Sequence, residues 1–281
     1  MSSDGESNFF SELAAQRLQR VGLPPMSDEQ AVLVERHEHV LLITLNRPDA
    51  RNSVNAALAA GMAMALDELD EDDGLRAGVI TGAGKGFSAG MDLKAFVRGE
   101  SPHVDGRGFA GIVQKPPRKP LIAAIEGFAV AGGLEIALSC DLIVAARDAK
   151  LGIPEVKRSL VAAGGALLRL PHRIPYHVAM ELALTGDPIT AERAYELGMV
   201  NRVAEPGGAT DAALELAEKV AQNAPLALAA SKRIIVESSE WTEDERWQRQ
   251  GEIAGPVFVS EDAREGATAF AEKRNPVWKG R

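Results

Sequence analysis

The sequence predicts a mixed α/β core followed by a helical C-terminal third. Three observations carry that prediction. Apolar strand-like runs alternate with helix-like segments from about residue 31 to residue 145. Glycine-rich turns separate them, at Gly82-Ala83-Gly84-Lys85-Gly86 and at Gly127 to Gly133. From Gly164 onward the periodicity is almost wholly helical, with one short strand near residues 200–203. The 281 residues, 46% hydrophobic and 25% charged, suit one large globular domain or one domain plus a small appendage.

In chain order, residues 31–35 and 40–45 read as two short strands around the turn-like Arg36-His37-Glu38-His39. Asn46-Arg47-Pro48-Asp49 is a turn. Asn52 or Ser53 can cap a helix running to about Asp70, with Leu58, Met62, Ala65, Leu66 and Leu69 on one face. Residues 75–81 form a strand, 92–98 a short helix, 121–126 an apolar strand, 132–140 a helix and 142–145 a strand. Pro116-Pro117-Arg118-Lys119-Pro120 reads as a stiff exposed linker inside one domain, because the strand–helix alternation continues across it. Thr190 suits an N-cap, Gly198 a C-terminal stop and Pro225 a helix start; residues 241–253 and 260–273 complete the helical end. This divides the chain into an extension (1–30), a core (31–205) and a helical region (206–281). Within the first of these, residues 9–21 read as a loosely attached extension, with a short amphipathic helix as the alternative.

Composition excludes several classes of function. A net charge of −9 opposes a nucleic-acid surface, which needs a concentrated positive field. The single cysteine, Cys140, forbids an internal disulfide, and its apolar surroundings make it a small buried hydrophobe. Five histidines show no metal-ligand spacing beyond a loose His172–His177 pair, so no metal site is expected. The polar, acidic start is not a signal peptide, and no apolar run would span a bilayer. The expected location is cytoplasmic.

Among the motifs, the loop at Gly82-x-Gly84-Lys85-Gly86 fails the phosphate-loop pattern because glycine, not serine or threonine, follows Lys85. Gly86-Phe87-Ser88-Ala89-Gly90 matches the nucleophile-elbow pattern. Against it, about five loop residues separate Ser88 from the preceding strand. Glu135 is more informative. It is the only charged residue between Gly127 and Cys140, and a carboxylate in apolar surroundings is costly unless paired or tuned. Gly132-Gly133 at the helix start leaves N–H groups unobstructed on the same helix face. Glu135 could equally cap its own helix or pair with a buried arginine. A second glutamate, Glu155, follows Leu151-Gly152-Ile153-Pro154.

Phe87-Ser88-Ala89-Gly90-Met91-Asp92-Leu93, Ala131-Gly132-Gly133-Leu134-Glu135 before Cys140-Asp141-Leu142, Leu151-Gly152-Ile153-Pro154-Glu155, Ala163-Gly164-Gly165 with Arg169-Leu170-Pro171, Leu184-Thr185-Gly186, and Ala194 through Gly198-Met199-Val200-Asn201 together resemble the crotonase (enoyl-CoA hydratase/isomerase) superfamily. The resemblance covers residues 32–281. It implies a spiral of ββα units, a helical C-terminal region that assembles trimers or pairs of trimers, and an acyl-CoA thioester ligand with no separate cofactor. It implies an oxyanion hole from the backbone N–H groups of Met91 and Gly132, and catalytic carboxyls at Glu135 and Glu155. Ala50, Arg51, Ala89, Gly90, Asp92, Leu93 and Lys94 would lie along the CoA moiety.

Two glutamates favour water addition to a 2-enoyl-CoA, giving a 3-hydroxyacyl-CoA. Hydration builds enolate charge on the thioester oxygen, and losing one donor to such charge costs roughly 3–4 kcal/mol. Glu135, at a helix N-terminus, is expected to be ionised and to activate water, and Glu155, among apolar residues, to stay protonated and serve the α-carbon. The family's Gly-x-x-Pro-Gly-x-Gly-Gly segment is replaced by Ser159-Leu160-Val161-Ala162-Ala163-Gly164-Gly165, which reshapes the acyl pocket. The alternatives are a carnitinyl-CoA-type dehydratase, an enoyl-CoA isomerase, a serine hydrolase at Ser88, and a non-catalytic acyl-CoA-binding protein.

Overall fold

The computed structural model describes residues 30–281. Residues 9–21, read above as a loosely attached extension or a short helix, lie outside them. In order, the elements are β1 (Val32–His37), β2 (Val40–Leu45), α1 (Ala56–Glu71), β3 (Ala77–Gly82), α2 (Leu93–Val97), β4 (His103–Val104), β5 (Gly108–Phe109), β6 (Leu121–Ile125), β7 (Phe128–Val130), α3 (Gly132–Ser139), β8 (Leu142–Ala146) and β9 (Lys150–Gly152). They continue with α4 (Ala166–Arg173), α5 (Tyr176–Thr185), β10 (Ile189–Thr190), α6 (Ala191–Glu196), β11 (Arg202–Ala204), α7 (Ala209–Ala221), α8 (Pro225–Glu237), α9 (Arg246–Phe258) and α10 (Glu261–Glu272).

The main sheet has the order β1-β2-β3-β6-β8-β11. Only the β1–β2 hairpin is antiparallel; the other pairings are parallel. Strands buried on both faces read as continuous apolar runs, as in Leu-Ile-Ala-Ala-Ile of β6, where every residue is buried. The pleat sorts these runs onto two faces. Leu41, Ile43, Ile80, Leu121, Ala123 and Ile143 join α1 in the larger core. Val40, Leu42, Val79, Ile122, Ala124 and Val144 meet Ala213, Ala217 and Ala221 of α7. Alanines four apart make a smooth ridge that lets α7 lie close to the sheet.

A second, three-stranded sheet, β10-β9-β7, sits beside the first. The chain leaves β6 for β7 through Glu126 and Gly127, and later passes from β8 to β9, so each turn of the spiral gives one strand to each sheet. Isolated parallel bridges Val54–Met91 and Ser88–Ala129 extend this second layer. The sequence reading missed β7, β9 and β10, because strands of two or three residues carry no measurable period.

Other boundaries differ for local reasons. α1 begins after Asn55, whose side chain accepts the Leu58 N–H, so neither Asn52 nor Ser53 is the cap. All five residues expected on its apolar face are buried. Residues 116–120 are not an exposed linker: Pro117 and Pro120 are buried, and the Arg118 and Lys119 N–H groups donate to Asp70 at 2.9 and 3.1 Å. The helix expected from residue 241 starts at Arg246, because Thr242 turns the chain by binding the Glu245 carboxylate through both N–H and hydroxyl. Thr190 and Pro225 act as expected: Thr190 accepts the Arg193 N–H, and Pro225 opens α8.

Asn52 has a different task. It is 1% exposed and adopts a left-handed backbone at φ 52°. Its amide donates to Ala83 O and Gly86 O at 2.8 Å each and accepts the Arg47 N–H at 2.9 Å, tying residues 47–55 to the 82–87 loop. Asn52→Ala would orphan buried backbone groups and is expected to cost about 2–4 kcal/mol, measured by urea unfolding.

Candidate active site

The site forms where the second sheet ends. β7 and β9 pair in parallel with Val130 opposite Gly152, and the Ala131 N–H extends the ladder to Gly152 O at 2.9 Å. Ala131 then turns at φ 54°, ψ −132°, a conformation that only glycine adopts freely, at a cost of about 1–3 kcal/mol. The turn starts α3 abruptly at Gly132, with no side chain capping its first amides. Across from it, Val54 binds Gly90 O and Asp92 N binds Val54 O, at 2.7 and 2.9 Å. In this parallel bridge the Met91 N–H points to the opposite edge. Among the described residues, neither the Met91 nor the Gly132 N–H donates to a backbone carbonyl. Gly90 has φ 87°, and a Cβ there would lie 2.6 Å from Gly132 N, so glycine is what lets the two amide-bearing segments touch.

These groups open on a cavity of about 830 Å³. Ala50, Arg51, Ala89, Met91, Asp92, Leu93, Lys94, Gly132, Glu135 and Glu155 all line it, and Gly90 lies behind Gly132. Asp92 is fully engaged: it caps α2 through the Lys94 and Ala95 N–H groups and pairs with Arg47 at 3.0 Å. Burial opposes its charge, but these donors outweigh it and hold its carboxyl below the usual range. Asp92 therefore braces the loop beside Met91. Arg51 and Lys94 are exposed at the rim.

Glu135 is 4% exposed on the first turn of α3, and its Oε1 accepts the Ala166 N–H at 3.2 Å. Burial pushes its carboxyl up, against the opposing pull of the Ala166 and Gly164 amides and of Arg169. The expected lowering by the helix terminus is thus overturned in sign, because desolvation exceeds a dipole effect worth about 0.3–1 kcal/mol. Glu155 sits half-buried in the 3-10 turn Pro154–Arg158, and its Oε2 is buried with no hydrogen-bond partner among the described residues. Burial first, and the Glu135 charge second, push it to about 7, against its own backbone N–H and Arg158. Burial raises both carboxyls, and Glu155, without compensating amide donors from other residues, is pushed the further.

Ser88 is not a nucleophile here. It is fully buried, its hydroxyl donates to Asn52 O at 2.8 Å, and it accepts the Gly90 N–H at 3.2 Å. His172 and His177 are exposed on the surface of α4 and α5. Cys140 is buried, and burial pushes its thiol up. Among the described residues no cluster of three or more His, Cys, Asp or Glu could hold a metal ion, and no helix is long and apolar enough to cross a membrane.

Several contributors were missed. The Phe109 ring packs where a Gly132 Cβ would be, 2.5 Å from its Cζ. Leu160 and Val161, from the segment that departs from the superfamily pattern, line the cavity with Arg158. No local signal marks Phe109, since it reaches Gly132 only through tertiary packing.

The two-sheet spiral thus brings two acceptor-free amides and two carboxyls, Glu135 and Glu155, to one cavity. The chain belongs to the enoyl-CoA hydratase/isomerase family, whose model matches residues 35–281. It is 44% identical over 256 residues to the enoyl-CoA hydratase EchA19 of Mycobacterium tuberculosis, covering 89% of this chain and 96% of that protein. It is 43% identical over 260 residues to a carnitinyl-CoA dehydratase of Salmonella enteritidis, covering 90% and 99%. A crystal structure of an enoyl-CoA hydratase from Mycobacterium tuberculosis H37Rv matches with a TM-score of 0.89 at 61% identity, covering 90% of this chain and 100% of that one.

Because Glu155 holds its proton to about pH 7 when folded but ionises near 4.5 when unfolded, its penalty grows as pH rises through that window and is constant above it. The group is half-exposed, so the effect is modest: Glu155→Gln is expected to melt about 3 °C above the parent at pH 8. The difference should vanish near pH 4.5, as read by differential scanning calorimetry.

Proposed function

We propose that this chain is an enoyl-CoA hydratase, a hydro-lyase that reversibly adds water to a 2-enoyl-CoA thioester to give the 3-hydroxyacyl-CoA. The observation that carries this reading is the convergence, on one cavity, of two acceptor-free amides at Met91 and Gly132 and two carboxyls with raised pKa at Glu135 and Glu155. The thioester oxygen would sit between the two N–H groups, which form the oxyanion hole and stabilise the enolate charge that grows there. Glu135, whose carboxylate form is favoured by the Ala166 and Gly164 amides and by Arg169, takes a proton from water as it adds to the β-carbon. Glu155, which carries its proton to about pH 7, donates to the α-carbon. The reaction is redox-neutral, so electrons need no carrier, and CoA enters as part of the substrate. Ala50, Ala89 and Leu93, which line the cavity, would lie along the CoA moiety, and Arg51 and Lys94 at the rim would meet its phosphates. The chain would act in the cytoplasm.

A second reading, dehydration of a carnitinyl-CoA-type substrate at the same site, is favoured by the 43% identity to carnitinyl-CoA dehydratases. Loss of the conjugated-thioester absorbance should follow crotonyl-CoA or longer 2-enoyl-CoAs, and a polar enoyl panel separates the two readings. No change with any substrate would remove the assignment. Glu135→Gln and Glu155→Gln are each expected to lower kcat by about 10³-fold with thioester binding intact. Ser88→Ala should keep the chemistry, which excludes serine hydrolysis.

The chain would act as a homotrimer or dimer of trimers, assembled through the helical region from residue 206. α8 and α9 contain no buried residue, and Ile235, Val236, Trp247, Phe258, Val259 and Phe270 are each at least 60% exposed. Apolar surface on this scale supports an assembly interface here. Light scattering should give three or six times 29.8 kDa; a monomer at micromolar concentration would refute it.

A further inference from the structure

Arg169, on α4, is half-buried and, among the described residues, pairs with no carboxylate. Its guanidinium is spent on two main-chain oxygens. Nη2 donates to Val113 O at 2.6 Å and Nη1 reaches Gly164 O at 3.4 Å. The turn between them is packed without slack. Gly165 is left-handed at φ 104°, and Arg169 Nη1 fills the space a Cβ would need there. The Glu135 carboxylate fills the corresponding space at Gly164. The turn ends at Ala166, whose N–H holds Glu135 Oε1 at 3.2 Å.

We propose that Arg169 is a positioning residue for Glu135: by gripping Gly164 O and Val113 O it fixes the 164–166 turn that seats the Glu135 carboxylate against the cavity. This rests on the reading of Glu135 as the water-activating base. An arginine fits the task because its planar fork spans two carbonyls, which a lysine ammonium does not match. Its charge also favours ionised Glu135. The charged groups around this carboxyl are Arg169 and, across the cavity, Glu155; Arg173 bears on Arg169 from the same helix, and Arg158 on Glu155.

The test compares Arg169→Met and Arg169→Lys with the parent chain. Carbon-13 glutamate labelling, with Glu135→Gln to assign the signal, follows the titration of Glu135 by NMR without any substrate. Steady-state hydration of crotonyl-CoA gives kcat and KM. For Arg169→Met the expected results are a Glu135 titration about one pH unit higher, an acid limb of kcat moved in the same direction, kcat at pH 7 lower by about 10- to 100-fold, and KM within about threefold. Arg169→Lys should restore the titration but leave kcat about tenfold low, because the charge returns without the two-carbonyl grip. An unmoved Glu135 titration in Arg169→Met would overturn the proposal. If that variant does not fold, parental kcat in Arg169→Lys would overturn it. Should the parent chain hydrate no substrate, the hydratase reading fails, and the NMR titration still decides whether Arg169 governs Glu135.

Discussion

The parallel pairing of β7 with β9 is the constraint on which the site depends. These strands are three residues each, and their register is fixed by Val130 opposite Gly152 and by the Ala131 N–H bound to Gly152 O. From that point the two chains diverge in ways set by their next residues. Ala131 turns sharply into α3, which brings Gly132 and Glu135 to the cavity. Ile153-Pro154 turns β9 into a 3-10 segment, which brings Glu155. A one-residue slip would turn one strand's side chains to the other face and separate the two carboxyls. The flanking bridges Ser88–Ala129 and Val54–Met91 apply the same device one layer further, placing the Met91 amide beside Gly132.

The fold meets the cost of this arrangement with rigid surroundings. A strained Ala131, two carboxyls drawn out of water and two amides without acceptors are each unfavourable in isolation. They persist because the central strands of the main sheet behind them are buried on both faces and the loops around them are tied by polar groups: Asn52 to the 82–87 loop, Ser88 to Gly90 and Asn52, and Asp92 to Arg47 and the start of α2. The polar residues near the cavity thus divide into those whose hydrogen bonds are complete, which brace, and those left incomplete, which are available to a ligand.

That division explains how the electrostatics separate two chemically identical side chains. Both glutamates are raised by burial. Glu135 is compensated by backbone amides and a neighbouring arginine, whereas Glu155 has an unpartnered oxygen and feels the charge of Glu135. A pair of carboxyls in one cavity is driven to share a proton unequally, and the environment decides which keeps it.

The sequence by itself determined the strand–helix alternation, the apolar face of α1, the N-cap at Thr190, the helix start at Pro225, and the standing of Glu135 as a charge in an apolar stretch. These are local properties, written in periodicity, in capping residues and in the unusual placement of Glu135 within an apolar stretch. Tertiary structure decided the rest. The second sheet was not legible, because strands as short as Phe128–Val130 have too few residues to show a period. The roles of Asn52 and residues 116–120 were misread, since Asn52 donates to Ala83 and Gly86 and residues 118–119 donate to Asp70, all more than thirty residues away. The sign of the Glu135 shift and the proximity of Phe109 and Arg169 depend on how much water the fold removes and on what it packs there, and no local pattern encodes either.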